Sequence, residues 1–414
     1  MLLIFPFLVL YALDLSAGML PPALNFQTAQ LLPPKVFSLI YQQANGNLAH
    51  SYDEFGQKKP LANDLNKSIN YYDVLKEQKT EEEKNITQAA LSAYGITDFN
   101  DEAGQITGDI RVQLKTQVPV LAYGVTTKWM SAIAIPIVTA KVQIDSGFKK
   151  SESLQNISEA IYAEGGHSQV TEIQLQTQNA IETKLNDYNY EPLRNNEETL
   201  LGDIQLLNRY QVQNSADNIL TLTSTISLPT GKKKNPHDLM SVESGDGQLD
   251  LGFGAIYEKP LPYKWSLILS GDYTYQFADR TGVRVPQDQD DPVTPDFDPA
   301  AKRKLGDMWQ AQLGTKWVFY PAWSFYTAYS YQFKREDKID GGLFARERYD
   351  WLTQNTQQQR ETLLLGIEFN SIQKFITNNF PVPLYSRLIY SKPVNGKNVI
   401  EDSLIGVEVA FFYK

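Results

Sequence analysis

Three histidines, His50, His167 and His237, are the side chains best suited to move protons near neutral pH. No cysteine accompanies them, so thiolate nucleophiles, disulfides and cysteine-based zinc sites are absent together. General-base catalysis needs an imidazole within hydrogen-bond reach of a nucleophile or an orienting carboxylate. His237-Asp238 is the nearest such pair, but the three histidines fall in three separate polar segments, where solvated loop positions are expected. The glycine-rich SGDGQLDLGFG precedes no helical pattern and is therefore no phosphate cradle; its glycines should mark bulges or close approaches of backbone. DQDDPVTPDFDP (288–299) carries oxygen ligands suited to Ca²⁺, yet its spacing matches no defined ion loop and it reads as a solvated connection. Leu228-Pro229-Thr230-Gly231 has the letters of a sorting signal but no hydrophobic anchor after it. No catalytic, cofactor-binding or metal-binding residue is assigned, and no enzyme is expected.

The elements that would carry any site are strands. From Ile110 to Ala122 the even positions are mostly apolar, while the odd ones include Arg111, Gln113, Lys115 and Gln117. Trp265 to Phe277, Trp323 to Phe333, Leu220 to Leu228 and Ile405 to Tyr413 alternate in the same way. Period two places alternate side chains on opposite faces of a strand. About twelve such segments begin near Lys35, Gly108, Lys128, Gly202, Asn218, Gln248, Lys264, Leu305, Trp323, Arg360, Leu384 and Ser403. Most run ten to fifteen residues, the length a tilted membrane-crossing strand requires, whereas soluble strands average about five to six. Short connections (124–127, 215–217, 259–263, 320–322 and a longer 371–383) alternate with long ones. The pattern predicts an all-β fold, an antiparallel transmembrane β-barrel of about 12 strands (10–14) with short periplasmic turns and long, partly helical external loops. Helical insertions are expected at about 68–95 and 151–186.

The N-terminal run Leu2 to Leu13 is too short to span a bilayer as a helix but has the length of an export-signal core. Residues 1–18 therefore read as a signal peptide, 19–34 as a periplasmic or lumen-entering segment, and 35–414 as the barrel. A net charge of −10 with no basic stripe argues against a nucleic-acid partner. Trp129, Tyr257, Trp265, Tyr320, Trp323 and Tyr413 cluster near the short turns, as an interfacial girdle would, and Tyr275, Phe277, Tyr331 and Phe333 form a second set. Strict parity groups Tyr123 with polar residues, so its outward orientation requires a bulge. Gly124, in AYGVTTKW, is expected to supply the turn conformation of the first short hairpin. The polar faces offer Arg111, Lys115, Asp203, Arg209, Asp250, Asp272, Lys316, Glu368 and Glu408 as lumen-lining candidates. Both charge signs are present, so strong selection for one ion sign is not expected.

LPPKVFSLIYQQ, VPVLAYGVTTKWMSAIAIPIV, LLGDIQLLNRYQV and SLPTGKKKNP with SGDGQLDLGFGAIYEKPL, taken in order, resemble the outer-membrane barrels named for a "putative MetA-pathway of phenol degradation". That group is distantly similar to fatty-acid and toluene transporter barrels. The resemblance implies passive uptake of small, hydrophobic or aromatic molecules across a bacterial outer membrane. It implies contact with outer-membrane lipid and lipopolysaccharide, and insertion by the barrel-assembly machinery through the C-terminal strand, although the chain ends in Lys414 rather than on an aromatic. A surface barrel with a closed lumen, whose external loops bind a partner cell, phage or matrix, is the competing expectation.

Overall fold

In the computed structural model, residues 26–63, 66–76, 81–156, 185–289 and 294–413 are described. The proposed signal peptide, His167 and most of the 151–186 insertion lie outside these residues. Twelve antiparallel strands close into a barrel. They are β1 (Phe37–Leu48), β2 (Glu102–Gly124), β3 in two halves (Trp129–Ala134 and Ile137–Lys150), β4 in two halves (Asn196–Leu201 and Ile204–Asn214), β5 (Ile219–Leu228) and β6 (Asp250–Leu261). The remainder are β7 (Trp265–Gln276), β8 (Met308–Tyr320), β9 (Trp323–Lys334), β10 (Gln358–Asn370), β11 (Leu384–Lys397) and β12 (Leu404–Tyr413). Closure comes from β1, which pairs with β2 on one side and with β12 on the other, Phe37 lying opposite both Tyr123 and Tyr413. No helix among the described residues is long and apolar enough to cross a membrane.

Local chemistry explains the two broken strands. Pro136 cannot donate to a ladder, and there β3 changes partner from the lower to the upper half of β4. Gly202 sits against the break, its N–H donating to the Pro136 carbonyl at 2.8 Å. The long connections hold regular structure of their own. Helices occupy Tyr71–Lys76 and Glu81–Ala93. Strands Asp279–Arg284, Phe297–Lys304 and Lys338–Asp340 form a second small sheet that continues the wall of β7, β8 and β9 beyond the barrel. That sheet takes up part of the acidic 288–299 stretch expected to be a solvated loop.

From Gly104 to Gly124 side-chain parity runs along β2 without a register shift, while a shift at its start leaves Ala103 buried. The even face points inward from Ile110 to Ala122, with Ile110, Val112 and Ala122 buried, and Val112 stands opposite Leu48 and Val142. Its odd face points outward: Tyr123 and Leu121 near the turn, then Gln117, Lys115, Gln113 and Arg111 higher up. Tyr123 therefore faces out on the unbroken strand, its ring 4.4 Å from that of Phe37. The inward placement expected for Arg111 and Lys115 is wrong: Arg111 is 72% exposed and pairs with Asp109, and Lys115 is exposed. At 23 residues β2 is about twice the length a bilayer requires. Polar side chains on the outer face of its upper half meet water rather than lipid, so polarity alone could not tell lumen from exterior there.

Candidate functional site

Inside the barrel, near the short-turn end, the strands place a ring of charged and polar side chains around residues 26–34. Glu368 on β10 is only 1% exposed and is held by Lys316 of β8 at 3.1 Å and Arg387 of β11 at 3.2 Å. The Tyr326 hydroxyl of β9 donates to the same carboxylate at 2.6 Å. Glu408 of β12 accepts from Gln42 Nε2 of β1 at 2.6 Å and stands opposite Arg387 in the ladder. Asp272 of β7 accepts from the Thr223 hydroxyl at 3.2 Å. Two charges withdrawn from water repay their desolvation only through such close pairing and further hydrogen bonds.

The chain before β1 runs through this ring as a strap. The Glu258 carboxylate accepts from the Ala29 N–H at 3.2 Å and from the Thr28 hydroxyl at 3.3 Å. Arg209 donates to the Thr28 carbonyl at 3.1 Å, while Gln211 and Thr221 donate to the Ala29 carbonyl at 3.0 and 2.7 Å. The Gln27 N–H is taken by Gln312 Oε1 at 3.1 Å. Phe26 lies 5.2 Å from the Tyr326 ring, with the Arg387 guanidinium 5.6 Å above it. Backbone groups taken from water must find such partners. The strap is thus bonded into the lumen by the polar faces of β4, β5, β6 and β8.

Gly124 belongs to this arrangement and not to a left-handed turn. Its backbone exchanges hydrogen bonds with Lys35 and Val36, and a β-carbon there would overlap the Pro33 carbonyl as the strap leaves the lumen. Gly124→Ala should displace the strap exit while the ladder between β2 and β3 persists. Spin labels on Pro33 and Trp129 would show this as a broadened distance distribution, and an unchanged distribution would contradict it.

Of the nine lumen candidates, Arg209, Asp272, Lys316, Glu368 and Glu408 are carried on the inner face beside the strap. Asp203 and Asp250 lie at the opposite mouth. Asp203 accepts the Gly231 N–H at 2.8 Å and the Asp246 N–H at 3.2 Å, fastening the connection between β5 and β6. This explains two glycines: a β-carbon on Gly231 would collide with Gly245, and one on Gly245 with Asp203. Burial pushes the Asp246 carboxyl up to about 6, and Asp203 adds to the effect. The closed loop therefore holds a proton that an open loop, with the ordinary value of 3.8, has lost. Closure is favoured most below that ordinary value, and the advantage is lost as pH rises to about 6. A spin label at Lys234 should accordingly be more mobile at neutral pH than in acid, and Asp246→Asn should reduce the dependence, the rest resting with Asp203, whose carboxyl burial also raises.

Among the described residues the histidines assemble no catalytic pair. His50 lies 3.8 Å from Glu401. His237 Nδ1 faces Arg284 at 2.6 Å, and Asp238 accepts the Met240 N–H instead of orienting its neighbour. Glu258, Tyr326, Arg387, Gln211 and Thr221 were not singled out from the sequence, although a lone arginine in LYSRLIY is a signal that could have flagged Arg387. The aromatic side chains named for the turn end are mostly exposed, Trp129, Trp265, Tyr320, Trp323 and Tyr413 among them, with Tyr257 half-buried. Trp265 stacks on Trp317 at 5.5 Å.

The model of the family described as "Putative MetA-pathway of phenol degradation" matches residues 97–369. The chain belongs to this family. Among solved structures it is similar to the COG4313 outer membrane channel from Pseudomonas putida F1, with a TM-score of 0.53 and 12% identity over 94% of this chain and 99% of that one. A more distant likeness is to the toluene transporter TodX of P. putida, with a TM-score of 0.34 and 10% identity over 92% of this chain and 91% of the other. No curated protein matches the sequence. This chain shares with the first structure the fold of a closed antiparallel β-barrel.

Proposed function

We propose that this barrel is an outer-membrane channel for passive uptake of small hydrophobic, including aromatic, molecules. The observation that carries the reading is the apolar inner wall above the strap. Ile110 and Val112 of β2 and Ala140 and Val142 of β3 pack against Leu239, Met240 and Val242 of the β5–β6 connection. Water-filled porins have polar interiors, so an apolar wall suits an apolar solute. Methionine adapts its shape readily, and a solute entering here would replace loop side chains with contacts of the same kind.

Uptake of a radiolabelled monoaromatic by cells with an intact outer membrane tests it. Cells producing the protein should take up the compound several-fold faster than cells lacking it. Met240→Glu should lower that rate without changing the heat-modifiable gel mobility of the barrel. Equal uptake with and without the protein would refute the reading.

A further inference from the structure

The small sheet beyond β7–β9 carries a charge arrangement that the lumen does not use. On its outer face Arg280 stands directly opposite Lys302, and Lys304 directly opposite Lys338. Like charges facing one another across a ladder destabilise it, and here two such pairs adjoin on a chain of net charge −10. The inner face differs: Asp279 there bonds Arg303 at 3.0 Å, and both side chains are only 12% exposed. Acids do reach the outer group, since Asp307 lies 3.5 Å from Lys304, Asp340 opposes Lys302, and Glu336 is exposed nearby. They are partly committed, Asp307 to the Tyr273 hydroxyl and Asp340 to Arg346 at 3.7 Å. An open hollow of about 520 Å³ is lined by Arg280 and Lys302, by Asp298 and Asp340, and by the turn at Gly341 and Gly342.

Directly below is the second aromatic band. Lys304 Nζ lies 4.2 Å above the Tyr275 ring and the Arg335 guanidinium 4.6 Å above Trp309, whose ring is 5.8 Å from Phe333. Cations seated on interfacial rings stand at headgroup level. The exposed Leu313 and Tyr331 continue the apolar wall towards the middle of the barrel. An anion binding here would have a lipid-facing surface immediately beneath it.

We propose that this face binds the phosphorylated sugar headgroup of an outer-leaflet glycolipid of the lipid A type, its acyl chains lying along the aromatic band. The phosphates offset the opposed cations, and the proposal stands whether or not the lumen conducts. A basic side chain at an anionic membrane surface contributes about 1 kcal/mol, roughly a five-fold change in affinity, so removing three should weaken binding on the order of 100-fold.

Native mass spectrometry of the full barrel in detergent tests this, with bisphosphorylated lipid A, its dephosphorylated form and inorganic phosphate as probes. Wild-type protein should retain the bisphosphorylated lipid, and Arg280→Gln/Lys302→Gln/Lys338→Gln should lose it while keeping heat-modifiable mobility. Lys128→Gln/Lys259→Gln/Lys264→Gln, at the short-turn end, should retain it. Three results would each overturn the proposal: equal retention by both variants, equal binding of the dephosphorylated lipid, or full displacement by millimolar inorganic phosphate. The last would identify a soluble-phosphate site. Should the first triple variant fail to fold, Lys302→Gln alone should still show about a five-fold loss.

Discussion

Glu258→Ala should open the barrel to ions. Its carboxylate accepts both the Ala29 N–H and the Thr28 hydroxyl, and Ala29 is fully buried. Removing the acceptor leaves a buried donor unsatisfied, at about 1–3 kcal/mol, while the strap outside the lumen would be solvated at no such cost. The displaced state should therefore become roughly tenfold or more commoner. Planar-bilayer recordings should show large openings that are rare in the wild type, and a protease should cut within residues 26–34 of the variant. Glu258→Gln, which keeps one oxygen acceptor, should behave more nearly as the wild type. Identical conductance and identical protease resistance in Glu258→Ala would show that the remaining bonds hold the strap unaided.

The second large effect concerns stability. Glu368→Ala removes the common partner of Lys316, Arg387 and Tyr326 and leaves Arg387, 6% exposed, facing an interior with one carboxylate fewer. Breaking a buried pair from one side costs about 3–5 kcal/mol, because the charge left behind cannot recover its hydration. The midpoint of urea unfolding in vesicles should fall accordingly. Glu368→Ala/Arg387→Leu should recover part of the loss, since the stranded charge goes with its partner. If the double variant were no more stable than Glu368→Ala, Glu408 opposite Arg387 would already be compensating its charge. This network and the strap meet at Tyr326, so the two effects need not be additive, and measuring both in one variant would give their coupling.

The barrel itself was legible in the amino-acid sequence. Alternation is a local property: residues two apart share a face whatever the rest of the chain does. Twelve long alternating segments, with connections alternately short and long, sufficed for strand number and for most strand starts within a few residues. Five of the nine charged side chains proposed for the inner face stand beside the strap, because in strands confined to the bilayer an outward charge would meet hydrocarbon. Arg111 and Lys115 mark where that reasoning ends. Their strand continues past the bilayer, the solvent on its outer face changes from lipid to water, and the same alternation takes the opposite meaning.

What encloses the lumen was decided by tertiary structure alone. The sequence left 19–34 between periplasm and lumen, and nothing local in Phe26-Gln27-Thr28-Ala29 decides between them, because its partners Glu258, Gln211, Thr221 and Gln312 lie some 180 to 290 residues away. Gly124 illustrates the difference. Next to a short turn it reads as a conformational requirement, yet the constraint on it is the Pro33 carbonyl, which only the closed barrel brings alongside. The opposed cations on the outer sheet are likewise a matter of register between strands of different loops. Sequence determines the face a side chain takes within its strand. The far side of that face, whether lipid, water, strap or a neighbouring charge, exists only once the barrel has closed.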